Sequence, residues 1–354
     1  MKRNFKQQWQ RALRSGWFAT LTSALGVLVT CMVSKPAHAV VLAGETQPFF
    51  TPVGESDRAD ISSTPFFNGV AQLRINTQNG YVGCSGALLG TGWHILTAAQ
   101  CLTDDVGNAI AHRVEATFSS HANFLVSDYF IHEDWQGHDR VFYGGDLAIL
   151  KLGDRADETI RRYKINRYLE TSFFTRTGYG QTGSGDKGAE GNAGKLRLGI
   201  NTYDAIFGQE QLNLLGYDFD NGTPENDASG YLFGLKHLGL GKLESMAAPG
   251  DAGGPTFDFW GNIVGVTSFG VGKLPTDVDD KVNSSYGELG FDTRISFYSS
   301  WIDGVLNDKY RPTKPRKVSI PEPSLVAGLL LFGLGAFGTR KSHGKEPLQE
   351  SDRW

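Results

Sequence analysis

Several signals are missing from this chain of 354 residues, and each absence removes a class of function. There is no stripe of Lys and Arg interleaved with aromatics. With a formal charge of −4 and a pI near 6.1, the electrostatic footprint of a nucleic-acid binder is absent, so no nucleic-acid partner is expected. Cysteine is scarce, at three residues. No Cys/His grouping has the spacing of a zinc site, and neither metal ligands nor a cofactor are assigned. The glycine-rich stretch GYGQTGSGDKGAEGNAG, Gly178 to Gly194, lacks the strand-to-helix setting of a phosphate loop and reads as a surface loop. The two long apolar stretches both fall short of the ~20 residues a spanning helix needs. What remains is a chain with 40% hydrophobic and 12% aromatic residues, enough for a substantial core. Its 45 glycines lie mostly between short runs of β-formers, which predicts many strands joined by tight turns, not a helical bundle.

The ends read as export signals. Lys2, Arg3, Lys6, Arg11 and Arg14 precede an apolar run from Trp17 to Val33, followed by Pro36-Ala37-His38-Ala39 with small residues where a signal peptidase reads. Cleavage after Ala39 is expected; an uncleaved anchor is the alternative. At the other end, Pro321-Glu322-Pro323-Ser324, the apolar run Leu325 to Phe337 and the basic pair Arg340-Lys341 resemble the PEP-CTERM tail of exported bacterial proteins. That resemblance implies processing by an exosortase-like enzyme near Pro-Glu-Pro and transient membrane association. The polar extension Ser342 to Trp354 is longer than such tails usually carry. The expected organisation is a signal peptide at 1–39, a folded domain at 40–306, a linker at 307–320, a sorting segment at 321–341 and a polar tail at 342–354. Removing both ends leaves a charge of about −10, suited to a soluble protein in the periplasm, on the cell surface or in the medium.

Cys31 leaves with the leader, so the mature chain keeps Cys84 and Cys101, which an oxidising compartment pairs. Two buried free thiols are the alternative. Between them runs CSGALLGTGWHILTAAQC, and further on stand GDLAILKL at Gly145 to Leu152, GYG at Gly178 to Gly180, PGDAGGP at Pro249 to Pro255, and VTSFG at Val266 to Gly270. Ile295 to Leu306 follows, with Phe297, Trp301 and Ile302 at helical spacing. In this order the segments resemble the chymotrypsin/trypsin family of serine proteases over roughly residues 65 to 306. The resemblance implies an all-β fold of two six-stranded antiparallel barrels with a C-terminal helix.

It also assigns roles, and two of them are vacated. The position of the general base holds Gln100, that of the nucleophile holds Ala252, and only the triad carboxylate, Asp146, is retained. An amide does not titrate near neutrality and shuttles no proton, and a methyl group attacks nothing. Ser245, Ser268, Thr256 and His94 are the nearby hydroxyls and imidazole; His94 reads as a structural or surface histidine and Thr256 as pointing into the barrel, with a relocated catalytic pair as the alternative. The backbone amides at Gly250 and Ala252, which form the family's oxyanion hole, do not depend on the second side chain. By the same resemblance Met246 lies at the floor of a substrate pocket with Ser268 and Gly270 along its wall; ordinary core packing is the alternative for Met246. The self-activating N-terminus of the family is absent near Phe66 to Ala71, which leaves Asp251 without an ammonium partner. The run DFDNGTPEND, Asp218 to Asp227, is a solvated turn or a calcium loop, but Gly222 in its fifth position departs from the EF-hand pattern. The function expected is therefore an exported, catalytically inactive homologue that binds a peptide or protein; an endopeptidase with an unconventional nucleophile is the alternative.

Overall fold

A computed structural model describes residues 61, 64–119, 123–168, 171–208 and 211–314, together with the backbone of Val41–Leu42. The expected signal peptide, linker residues 315–320, the sorting segment and the polar tail lie outside the described residues.

The first barrel is closed and has six strands: β1 (Val70–Thr77), β2 (Gly80–Leu88), β3 (His94–Thr97), β4 (Arg113–Phe118), β5 (Asn123–Ile131) and β6 (Ala148–Leu152). They pair antiparallel in the order β1-β2-β3-β6-β5-β4, with β4 returning to β1. Alternation decides which face of β1 turns inward: Ala71, Leu73 and Ile75 are buried, while Arg74 points to solvent over the Tyr81 ring.

The second half is also mostly β, with strands β7 (Phe173–Gly178), β8 (Arg197–Thr202), β9 (Ala205–Phe207), β10 (Leu214–Phe219), β11 (Pro255–Phe257), β12 (Ile263–Val271) and β13 (Glu288–Arg294). The expected two-barrel, mostly β fold is present, with seven strands in the second half instead of six. These strands form a seven-stranded sheet in the order β8-β7-β11-β12-β13-β10-β9. The reason is a break at Tyr203-Asp204: β8 pairs with β7 on one side of it, and β9 pairs with β10 on the other. One bent stretch of chain thus occupies both edges of the sheet. All nine residues of β12 are buried, as expected of a strand covered on both faces.

A hydrophobic core runs through both halves. Phe142, from the first half, meets Phe269 and Phe291 of the second with ring centroids 4.9 and 5.4 Å away. The C-terminal helix α2 (Ile295–Leu306), which follows a short α1 (Ala228–Phe233), packs through Ile295, Tyr298, Trp301, Ile302 and Val305. Phe297 is 40% exposed, so the inward aromatic of that turn is Tyr298 instead. His132 of the first half lies against Tyr298 and Trp301, at 4.7 and 4.9 Å. Among the described residues no helix is long and apolar enough to cross a membrane.

Cys84 of β2 and Cys101, 17 residues on, form a disulfide with Cα atoms 6.3 Å apart. It pins the short 3₁₀ turn Ala99–Cys101 to the barrel. Closing a loop of this length contributes about 3 kcal/mol in the chain-entropy account. The Cys84→Ala/Cys101→Ala variant is accordingly expected to lose about that much stability in urea unfolding; an unchanged midpoint would show that the loop is already fixed by its packing.

Candidate active-site position

Gln100 sits in that 3₁₀ turn, buried, and Asp146 lies just before β6 with no exposed surface. The Gln100 backbone N–H donates to Asp146 Oδ1 at 2.8 Å, and its Nε2 donates to Asp146 Oδ2 at 2.6 Å and to the Ser268 carbonyl at 2.6 Å. Both partners of the side-chain group are acceptors, so the amide is oriented with its NH₂ there; an oxygen in that place would face two oxygens. The Ser268 hydroxyl also donates to Asp146 Oδ2, at 2.5 Å. Burial pushes the Asp146 carboxyl up, while the donors from Ser268 and Gln100 pull against it. Gln100 thus satisfies a buried carboxylate without supplying a titratable group.

Tyr298 props this corner from below. Its hydroxyl accepts from the Gly145 N–H at 2.7 Å and from Asn213 Nδ2 at 2.9 Å. Thr293 donates to the Asp146 carbonyl at 2.9 Å.

The loop 249–254 is sutured to β2. Ser85 N–H donates to the Ala252 carbonyl at 2.9 Å, and Ser85 Oγ donates to the Gly250 carbonyl at 3.0 Å while accepting from Tyr179 N–H at 3.0 Å. Gly253 has to be glycine: its φ is +82°, and a Cβ there would lie 2.1 Å from Thr97 Oγ1 and 2.4 Å from the Ser85 carbonyl. Among the described residues, the N–H groups of Gly250 and Ala252 donate to no protein acceptor. Asp251 is buried, accepts from Gly180 N–H at 2.9 Å through Oδ1, and has no hydrogen-bond partner at Oδ2.

Met246 is 1% exposed and packs in an aromatic cluster with Phe174, Tyr203, Tyr217, Phe219 and Tyr286. It is a core residue, because the rings of the bent second sheet fill the space beside it, and it offers no accessible pocket floor. Its short strand Ser245–Met246 pairs with Val41–Leu42. Gly270 is buried within β12 opposite Gly290. Ser268, expected on the pocket wall, has its side chain turned to Asp146, a role the sequence reading missed. The Ser245 hydroxyl donates to the Ile200 carbonyl at 3.0 Å, and Thr256 Oγ1 lies 2.7 Å from the Tyr203 hydroxyl. His94 is on β3 opposite Lys151, with Nδ1 2.9 Å from Thr91 Oγ1; burial pushes its imidazole pKa down, and Lys151 adds to this. A pocket of about 590 Å³, lined by His112, Arg113, Asp128 and Tyr129 and by Arg311 to Lys314, includes none of the triad positions.

Residues 57–210 match the family model described as Trypsin; the loop bearing Ala252 lies beyond the matched stretch. Among solved structures, the HL collagenase is similar at 20% identity with a TM-score of 0.48, over 70% of this chain and 96% of that one. Neuropsin, a serine protease expressed in the limbic system of mouse brain, is similar at 16% identity and 0.49, over 70% of this chain and 98% of its own. A search of curated proteins finds no match. The likeness to the Trypsin family model thus covers residues 57–210, less than half of this chain.

Proposed function

We propose that this is an exported trypsin-family protein that binds a peptide or protein segment and does not cleave it. The observation carrying the reading is the pair of replacements in an otherwise built corner. Gln100 fills the space beside Asp146 with an amide that uses both of its N–H groups on protein acceptors, and Ala252 brings no nucleophile to a loop tied down on both sides. Acyl transfer needs a hydroxyl or thiol and a group that takes its proton. The hydroxyls of Ser85, Ser245, Ser268 and Thr256 are all engaged elsewhere in the protein. That argues against a relocated nucleophile.

Binding needs less. The two unpartnered N–H groups of Gly250 and Ala252 are donors for a ligand carbonyl. The Cys84–Cys101 disulfide supports an oxidising compartment, as the expected leader and sorting tail do. Processing by a signal peptidase and an exosortase-like enzyme, and surface retention through the C-terminal segment, belong to the same proposal.

The test is turnover of a mixed fluorogenic peptide library by the purified protein, beside fluorescence anisotropy of labelled uncleavable peptides. Background turnover with saturable binding is the expected result. Hydrolysis that co-purifies with the protein through successive columns would establish an unconventional nucleophile and overturn the reading.

A further inference from the structure

Three carboxylates far from the triad positions converge in the second half of the fold. Asp218 is in β10, Asp220 follows just after it, and Glu244 lies 24 residues further on, immediately before Ser245–Met246. Carboxylate oxygens from the three lie within 4.8 Å of one another, and the residues are 2%, 0% and 1% exposed. No Lys, Arg or His is ion-paired with any of them among the described residues; the nearby imidazole of His237 is 3.9 Å from Asp204, with its side chain 61% exposed.

The backbone holds this cluster in place. Glu244 Oε1 accepts from Leu240 N–H at 2.8 Å and Oε2 from Asp220 N–H at 3.0 Å. Asp218 Oδ2 accepts from Ser229 N–H at 3.0 Å, and Asp220 Oδ1 from Gly222 N–H at 2.6 Å. That leaves Asp220 Oδ2, an oxygen on a completely buried side chain, with no partner at all. An uncompensated buried carboxylate is among the most unfavourable groups a protein can hold, and three together repel one another as well.

We propose that Asp218, Asp220 and Glu244 form a calcium site that staples the end of β10 to the strand leading into the Gly250–Ala252 loop. The chemistry selects the ion. All three ligands are hard oxygens, with none of the imidazole or thiolate that zinc sites favour. Carboxylate oxygens no more than 4.8 Å apart fit within the coordination sphere of one Ca²⁺, whose ligands lie at 2.3–2.6 Å. Around Mg²⁺, at 2.0–2.1 Å, they lie no more than about 4.2 Å apart in a stricter octahedron. The acidic run from Asp218 to Asp227 supplies only two of the ligands. Asp227 instead caps α1 by accepting from Gly230 N–H, and the third ligand comes from outside the run. The site is structural and stands whether or not the cleft hydrolyses peptides.

The experiment is calorimetric titration of CaCl₂ into the chelator-stripped full chain, with thermal unfolding in chelator, Ca²⁺ and Mg²⁺. One Ca²⁺ per chain is expected, with a rise in Tm of about 5–10 °C at a hundred times Kd and a much smaller response to Mg²⁺. Asp220→Asn keeps an acceptor for Gly222 N–H but removes one negative charge. It is expected to abolish the Ca²⁺ response and, in chelator, to melt at or above the native protein. Asp218→Asn, read the same way, covers failure of the first variant to fold. No calcium heat or Tm shift in the native chain, equal responses to Ca²⁺ and Mg²⁺, or an undiminished response in the folded variants would each overturn the proposal.

Discussion

The Gln100→His/Ala252→Ser double variant is expected to hydrolyse peptides at least about a thousandfold faster than either single variant, while the native protein stays at background. Nucleophile and base act as a unit: in subtilisin, removing either costs about a millionfold in turnover, and removing the rest adds little. Restoring one without the other should therefore recover almost nothing. The surroundings are ready for both. An imidazole at position 100 would find Asp146, which already accepts from the Gln100 side chain and backbone, and the Ser268 hydroxyl would go on holding that carboxylate. A hydroxyl at position 252 would stand on the loop whose own N–H and that of Gly250 remain available for the developing oxyanion. The measurement is turnover of the fluorogenic library by all four proteins, with an organophosphonate probe to label an activated serine. A folded double variant that neither turns over nor labels would mean that the loop around Gly250 is not aligned for acyl transfer. Equal activity in Ala252→Ser alone would mean that Gln100 is not what silences the base position.

Much of this was legible in the chain because the informative contacts are local or lie at fixed separations. CSGALLGTGWHILTAAQC carries two strands, a turn and both halves of a disulfide within 18 residues, and the 46 residues from Gln100 to Asp146 preserve a pairing seen in the hydrogen bonds. What escaped is what depends on non-local filling of space. Met246 reads as a pocket floor by position, but burial beside Tyr217, Phe174 and Tyr286 is decided by strands distant in sequence. Phe297 and Tyr298 are adjacent aromatics on one helix, and only the register of α2 against His132 and Asn213 selects Tyr298 as the inward one. The bend at Tyr203-Asp204 leaves no glycine or proline signal to read. Glu244 stands apart from the acidic run, and nothing in its neighbours announces Asp220 as its companion.

Asp251→Asn should be the variant with the largest effect on stability, and its sign depends on pH. Burial pushes the Asp251 carboxyl up to about 7, with Gly180 N–H and the nearby Arg176 and Arg197 opposing the shift only in part. In the unfolded chain it titrates near 3.8. Between these values the native state keeps a proton that the unfolded state has lost, so stability falls as pH rises from about 4 to 7 and then levels. Roughly three pKa units at about 1.4 kcal/mol each amount to about 4 kcal/mol lost at pH 8. Asparagine carries no charge to bury, so the variant is expected to gain about 2–4 kcal/mol over the native protein at pH 8 and almost nothing at pH 4. Urea unfolding of both proteins at the two pH values, with Ca²⁺ saturating, reads this difference. Glu288, which burial also raises to about 7, gives the native curve a slope of the same sign. The comparison between the two proteins, not the slope alone, is therefore the test. If the variant were instead less stable at pH 8, Asp251 would be an ionised partner in the folded protein. Its second oxygen would then be held by a cation, and the loop carrying Gly250 and Ala252 would depend on that pair for its shape.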